Sequence, residues 1–361
     1  MLYTYTQNAL KENWLNPTII LVLATGFREI IAGGTAPSWP KIIPIDKRPL
    51  LQGRSGIKKR VQEVWKQFKL LDPALKISLM DAMIHQSSVP NIFNDGVLCK
   101  TIKDFPEHIE TATVALFRFL FEEQLNTLLI NGENLRDIHY NEVYTQIPSR
   151  ICAFCGLGFF RAPGAPRHDL DHYMPISKYP FAGADFKNLA PMCGECNSDF
   201  KKNIDILKDD AGARLKCSDP YRGPVFSISL AGSRPFLGVV SKAIRLPLWS
   251  VDILGIERDE ANNWDRIFKI KERYQRDILD AEFRSWLDHF SHWYVAGNHG
   301  ALDSNVIYTA IPEYVETVIQ GGFSEKAFLK KEVFNLLYNE SIDPIRGDDM
   351  RNFLECLVKN T

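Results

Sequence analysis

The sequence predicts an α+β multidomain chain, with a small cysteine-rich middle zone flanked on both sides by mainly α-helical regions and a small β-hairpin beyond it. Three observations predict this. Apolar residues recur at steps of three and four before about residue 145 and again after about Asp259, the spacing of a helix face. Gly, Pro and Cys concentrate between residues 146 and 208. Just after that zone, Phe226, Ile228 and Leu230 alternate with Ser227 and Ser229, the period of a strand.

Residues 1–145 read as a mainly helical N-terminal region, for recognition, regulation or partner binding. "SGIKKRVQEVWKQFK" carries Ile57, Val61, Val64, Trp65 and Phe68 on one face, against Lys58, Lys59, Arg60 and Lys66. "TATVALFRFLFEEQLNTLLI" aligns Val114, Phe117, Phe121, Leu125 and Leu128 in the same way. The Gly and Pro of "AGGTAPSWPKIIP" predict a long loop between helices. Residues 209–361 carry, from Val225, "VFSISLAGSRPFLGVV", read as a hairpin turning at "AGSR". A long helical stretch follows, in which Leu279, Phe283, Trp286, Phe290 and Trp293 form a core stripe. His289 and His292 lie on that stretch and read as surface residues.

The 43 basic and 44 acidic residues give a formal net charge of −1, so no global basic field points to nucleic acid. Between Arg150 and Lys208 eight Lys or Arg face six Asp or Glu, so a nucleic-acid site there depends on local arrangement. The basic face at Lys58, Lys59, Arg60, Lys66 and Lys69 reads as a solvated helix face. The run Ile19–Phe27 is shorter than the roughly 18 apolar residues of a membrane span and reads as a buried helix or strand. It lacks the basic start and cleavage pattern of a signal peptide, so the expectation is a cytoplasmic protein with no membrane partner.

Cysteine usage fits that compartment. Cys152/Cys155 and Cys193/Cys196 form two C-x-x-C pairs, which in a reducing cell point to metal before disulfide. Two such knuckles can share one tetrahedral Zn²⁺ in a closed structural site, with no open position for catalysis. The isolated Cys99, Cys217 and Cys356 read as buried small hydrophobes.

The 37 residues between the pairs hold "DLDHYMP" and "NLAP", and "CNSDFKK" follows from the last cysteine. This order, Cys-x-x-Cys, Asp-His-x-x-Pro, Asn-Leu-x-Pro-x-Cys-x-x-Cys-Asn and then Lys, resembles the zinc-stapled HNH endonucleases over about 60 residues, roughly a sixth of the chain. The resemblance implies a ββα-metal fold over residues 146–208, a hairpin on one helix with a catalytic divalent cation between them. It implies metal-dependent hydrolysis of DNA phosphodiesters. A nuclease set among helical flanks also resembles effectors of bacterial anti-phage defence.

Under that resemblance His172 is the general base, a task suited to a neutral imidazole. Asp171 and Asn197 supply oxygen ligands to Mg²⁺ or Mn²⁺, which neutralises charge on the phosphate and the leaving oxygen. Asn188 is the middle Asn that holds the loop so that the base faces the phosphate. Asp169, two residues before Asp171, is a metal ligand or an orienting group. Lys201 and Lys202 lie one helical turn past Asn197, placed for phosphate contacts, although Lys201 is one residue later than in many members. Cys152, Cys155, Cys193 and Cys196 hold the structural Zn²⁺. DNA is the expected partner, with a protein partner or a second copy of the chain engaging the helical flanks. The alternative is a non-catalytic zinc-stapled module that binds nucleic acid or protein.

Overall fold

Helices form where the apolar spacing asks for them, and they build the bulk of a mixed α and β protein. The computed structural model describes residues 1–165, 170–223, 225–241 and 244–361. In the N-terminal region the helix Leu15–Ile31 crosses Ser55–Lys69, and Phe27 stacks on Phe68 with ring centroids 3.8 Å apart. Gly26 marks the crossing, because a Cβ there would lie 2.3 Å from the Trp65 indole nitrogen. Ile57, Val61, Val64, Trp65 and Phe68 are all buried, as their spacing predicts. Pro73–Ser87 begins at Asp72, whose carboxylate accepts from the Leu75 amide at 2.8 Å, the N-cap that its sequence position favours.

Two details differ from the expected helix faces. In Glu107–Phe119 the buried residues are Ile109, Ala112, Thr113, Leu116, Phe117 and Phe119, and Val114 is only partly buried. The helix then widens into a π turn over Leu120–Gln124, which shifts the face and leaves Phe121 at its edge rather than in its core. Gln7–Ile31 is the one helical stretch, among the described residues, long and apolar enough to cross a membrane. Its Leu15, Ile19, Val22, Leu23 and Phe27 are buried in the protein core.

The hairpin is longer than predicted and turns elsewhere. Ser227–Ser229 pairs not with the residues after "AGSR" but with Asp252–Leu254. An Arg234–Leu248 bridge continues the ladder, and Val240–Ser241 pairs with Ile244–Arg245. The alternation gave the strand correctly, but Ser233 is buried with its hydroxyl on the Ser250 backbone, which makes "AGSR" a bend within the arm. Downstream, Arg258–Phe268 leads into helical turns that run from Ile270 to Ala296, with Leu279, Phe283, Trp286 and Phe290 buried and Trp293 at the margin. Ala327–Ser341 and Gly347–Lys359 pack alongside. His289 hydrogen-bonds Tyr314 at 2.6 Å and His292 donates to the Asp288 carbonyl at 2.7 Å, so the pair serves local structure. Cys99 and Cys217 are buried as expected, whereas Cys356 is exposed, because its helix turns that face to solvent.

Two apolar cores result. One gathers residues of the N-terminal helices between Leu15 and Leu135. The other joins the first nine residues, the cysteine pairs and the C-terminal helices. Middle-zone residues enter both: Phe181, Ala184, Phe186 and Leu189 the first, and Phe154, Tyr173, Met174 and Met192 the second.

Candidate functional site

The four paired cysteines are buried, free of disulfides, and have sulfurs all within 4.8 Å of one another. A tetrahedral ion with metal–sulfur bonds of about 2.3 Å demands sulfur–sulfur edges of about 3.8 Å. Cys155 Sγ and Cys193 Sγ are 3.7 Å apart, so the donor set fits zinc in chemistry and in size. Backbone amides of the knuckles point at the sulfurs, Leu157 N at Cys155 Sγ (3.4 Å) and Cys193 N at Cys152 Sγ (3.5 Å). Gly158 is required here, since a Cβ would stand 2.6 Å from the Cys193 sulfur.

The knuckles are held from outside the middle zone. Leu2 N donates to the Ala153 carbonyl at 3.0 Å, the Tyr3 hydroxyl donates to Ile151, and the Tyr5 hydroxyl donates to Pro191. From the other end of the chain Tyr274 donates to the Cys155 carbonyl at 2.7 Å. Phe154 stacks on Trp264 at 5.3 Å with the rings nearly parallel.

Between the cysteine pairs, Leu170–His172 runs antiparallel to Leu189–Pro191, with Asp171 opposite Ala190 and His172 opposite Leu189. Strand alternation turns Leu170 and His172 inward and leaves Asp171 partly exposed between them. Asn188 is completely buried and works as a clip. Its Oδ1 accepts from the Met174 amide at 2.7 Å, and its Nδ2 donates to the Met174 and Ala182 carbonyls, both at 3.2 Å. These bonds tie the strand ends to the loop between them. Asn188→Ala would strand a buried amide and two carbonyls, at about 1–3 kcal/mol per unsatisfied group. We expect a loss of at least about 2 kcal/mol in denaturant unfolding; an unchanged midpoint would contradict the clip.

His172 is 7 % exposed. Its Nε2 lies 2.8 Å from the Gly183 carbonyl, which can only accept, so Nε2 carries the proton and the lone pair of the neutral ring sits on Nδ1. Burial pushes its pKa down to about 3; the Gly183 carbonyl opposes that shift, and the Lys201, Arg136 and Arg118 charges add to it. The ring is therefore neutral at physiological pH.

The N-terminal region supplies what the sequence did not reveal. Phe121 covers the His172 ring at a centroid distance of 4.2 Å, and the Arg136 guanidinium lies 5.2 Å from the Phe121 ring. Buried amide side chains tie the loop between the strands to the helices. Asn16 donates to Phe181 O (3.0 Å) and accepts from Ala184 N (3.1 Å), while Gln86 accepts from Phe181 N (3.2 Å). Asn13 bonds both the Asp185 carboxylate (2.7 Å) and the Phe186 amide (2.9 Å). His139, also unforeseen, places its ring nitrogens 2.8 Å from the Ala9 and Leu189 carbonyls.

The helix Glu195–Lys201 follows the second knuckle and carries Asn197, half-buried, one turn before Lys201. Lys201, expected on a substrate phosphate, lies instead 1 % exposed with its Nζ 2.7 Å from Asp171 Oδ2 and 3.2 Å from the Lys202 carbonyl. A short helix packed on a carboxylate-bearing strand leaves a lysine at that position no nearer anion. Lys202 is exposed at the helix end. Asp169 and its neighbour His168 lie outside the described residues. Among the described residues, the four cysteines are the group of His, Cys, Asp or Glu side chains that converges on a metal position. The Asp171 carboxylate is paired with the Lys201 ammonium.

Compared with known proteins, the chain matches no family model, no curated protein and no solved structure.

Proposed function

We propose that this chain is a metal-dependent endonuclease of the HNH type that hydrolyses DNA phosphodiesters, with zinc on the four cysteines as a structural staple. One observation carries the reading: a single strand pair and the helix after it gather Asp171, His172, Asn188 and the Asn197–Lys201 turn beside the cysteine cluster. The pairing of Leu170–His172 with Leu189–Pro191, followed by the helix Glu195–Lys201, supports this reading. In this reading His172 Nδ1 takes the proton from the attacking water, and the Gly183 carbonyl fixes the ring's tautomer through Nε2. Asn188 sets the loop that aims the ring. Mg²⁺ or Mn²⁺ on Asp171 and Asn197 would supply charge neutralisation at the phosphate. The helical flanks serve recognition or control, with Phe121 closing over the base until DNA or a partner engages. A role in anti-phage defence follows from the same resemblance, and the paired thiols suit a reducing, cytoplasmic setting.

A second reading, a non-catalytic zinc-stapled binding module, is favoured by one arrangement: His172 is covered by Phe121 and Asp171 is already paired with Lys201. The test is cleavage of supercoiled plasmid with Mg²⁺ or Mn²⁺, compared with EDTA. Nicking that requires the added metal supports the nuclease. Lys201→Met separates the readings without turnover. The nuclease reading expects Mn²⁺ binding, followed by electron paramagnetic resonance, to tighten about tenfold once the competing ammonium is gone. Absence of Mn²⁺ binding in both forms favours the binding module.

A further inference from the structure

The cysteine cluster is a buried charge as well as a staple. Four thiolates around one divalent zinc leave a net charge of about −2. All four side chains lie in the core, where such a charge needs a nearby partner. Backbone amides reach two of the sulfurs, those of Cys152 and Cys155. The third donor is a full cation. Arg273, 1 % exposed and far along the sequence, places Nη1 3.5 Å from Cys196 Sγ.

Its guanidinium is fixed on every side. Nη2 pairs with Glu195 Oε2 at 2.7 Å, Nη1 also reaches the Phe268 carbonyl at 3.4 Å, and the plane lies 4.3 Å from the Phe200 ring. Glu195 is largely exposed and would be served equally by a surface lysine. What calls for a guanidinium inside the core is the sulfur cluster. The next residue repeats the attachment, since Tyr274 bonds the Cys155 carbonyl of the opposite knuckle. Two consecutive residues of the C-terminal region thus bracket both halves of the site.

From this we infer that Arg273 is the built-in counter-cation of the zinc tetrathiolate, so that the C-terminal helical region forms the outer layer of the metal site and controls how firmly zinc is held. The inference goes beyond the nuclease reading and does not depend on DNA cleavage. It makes Arg273 a positioning residue for the metal, acting on the thiolates and not on zinc itself.

The experiment uses the full chain, with zinc release to a chromogenic chelator as one readout. The second is the thiolate-to-metal charge-transfer band of the Co²⁺-substituted protein, which reports on charge at sulfur. Arg273→Met is expected to speed zinc loss about tenfold to a hundredfold and to move the cobalt band to lower energy, because an uncompensated thiolate gives up electron density more easily. Arg273→Lys keeps the charge but loses the fork and is expected to fall between. Glu195→Gln leaves the guanidinium on sulfur and is expected to match the wild type in both readouts. A folded Arg273→Met protein with wild-type release and an unmoved band overturns the inference, as does Glu195→Gln reproducing the Arg273→Met effect. Should Arg273→Met fail to fold, Arg273→Gln, which also removes the charge, decides: a shifted band supports the counter-cation and an unmoved one overturns it.

Discussion

His172→Ala is expected to reduce metal-dependent plasmid cleavage by about 10²–10⁴-fold, the usual contribution of a positioned general base. The substitution removes the nitrogen that would accept the water proton and nothing else on the metal side. Stability should change far less. The lost ring leaves a small gap beneath Phe121 and one unpaired carbonyl at Gly183, a cost of about 1–3 kcal/mol. Zinc content should be unchanged, because His172 touches neither knuckle. The informative result is therefore a split: cleavage gone, zinc retained, and melting only modestly lower. Equal nicking by wild type and variant would remove His172 from any catalytic role. Loss of zinc together with cleavage would mean that the variant reports on folding. The burial that pushes the imidazole pKa down to about 3 adds a condition. A base so depressed is weak until substrate phosphate and movement of Phe121 change its surroundings, so preincubation with DNA should accelerate the wild type alone.

The sequence made the local chemistry legible and left the long-range supports hidden. Cys152, Cys155, Cys193 and Cys196 could be read because metal knuckles impose a short fixed spacing, and the structure brings their sulfurs within 4.8 Å. The contacts that hold Asn188 and His172, to Met174 and Gly183, are likewise local to one loop. For Lys201, spacing gives direction along a helix but not what lies across from it. The nearest anion proved to be Asp171, thirty residues earlier in the chain. Phe121, Asn16, Gln86 and Arg273 had no local signature at all, because each acts on the middle zone from a distant segment. The hairpin failed in the same way. Alternation identifies a strand, yet its partner Asp252–Leu254 is set by packing of the whole arm.

Cys152→Ser and Cys196→Ser test the other large effect, loss of the staple. Each leaves three sulfurs and a hydroxyl that is a poor zinc ligand at neutral pH. We expect zinc content to fall to near zero after purification with a mild chelator. Zinc binding contributes about 10–16 kcal/mol to folding in isolated zinc-finger peptides. Here the knuckles also pack against Tyr3, Tyr5, Trp264 and Phe268, so part of the fold survives without the ion. A net loss of roughly 4 kcal/mol, at about 2–4 °C per kcal/mol, lowers Tm by about 10 °C. The two cores predict where the loss appears. Residues of the first nine positions and the knuckles share one core with the C-terminal helices, whereas Leu15–Ile31 and Ser55–Lys69 bury their faces in the other. Hydrogen exchange should therefore accelerate at Leu2, Cys155 and Gly156, whose amides bond within or onto the first knuckle, while Val61 and Val64 stay protected. Uniform acceleration across both cores would show that the zinc stabilises the chain as one cooperative unit. Normal melting with unchanged zinc would exclude the cysteines as a metal site and remove the basis for both the staple and the Arg273 counter-cation.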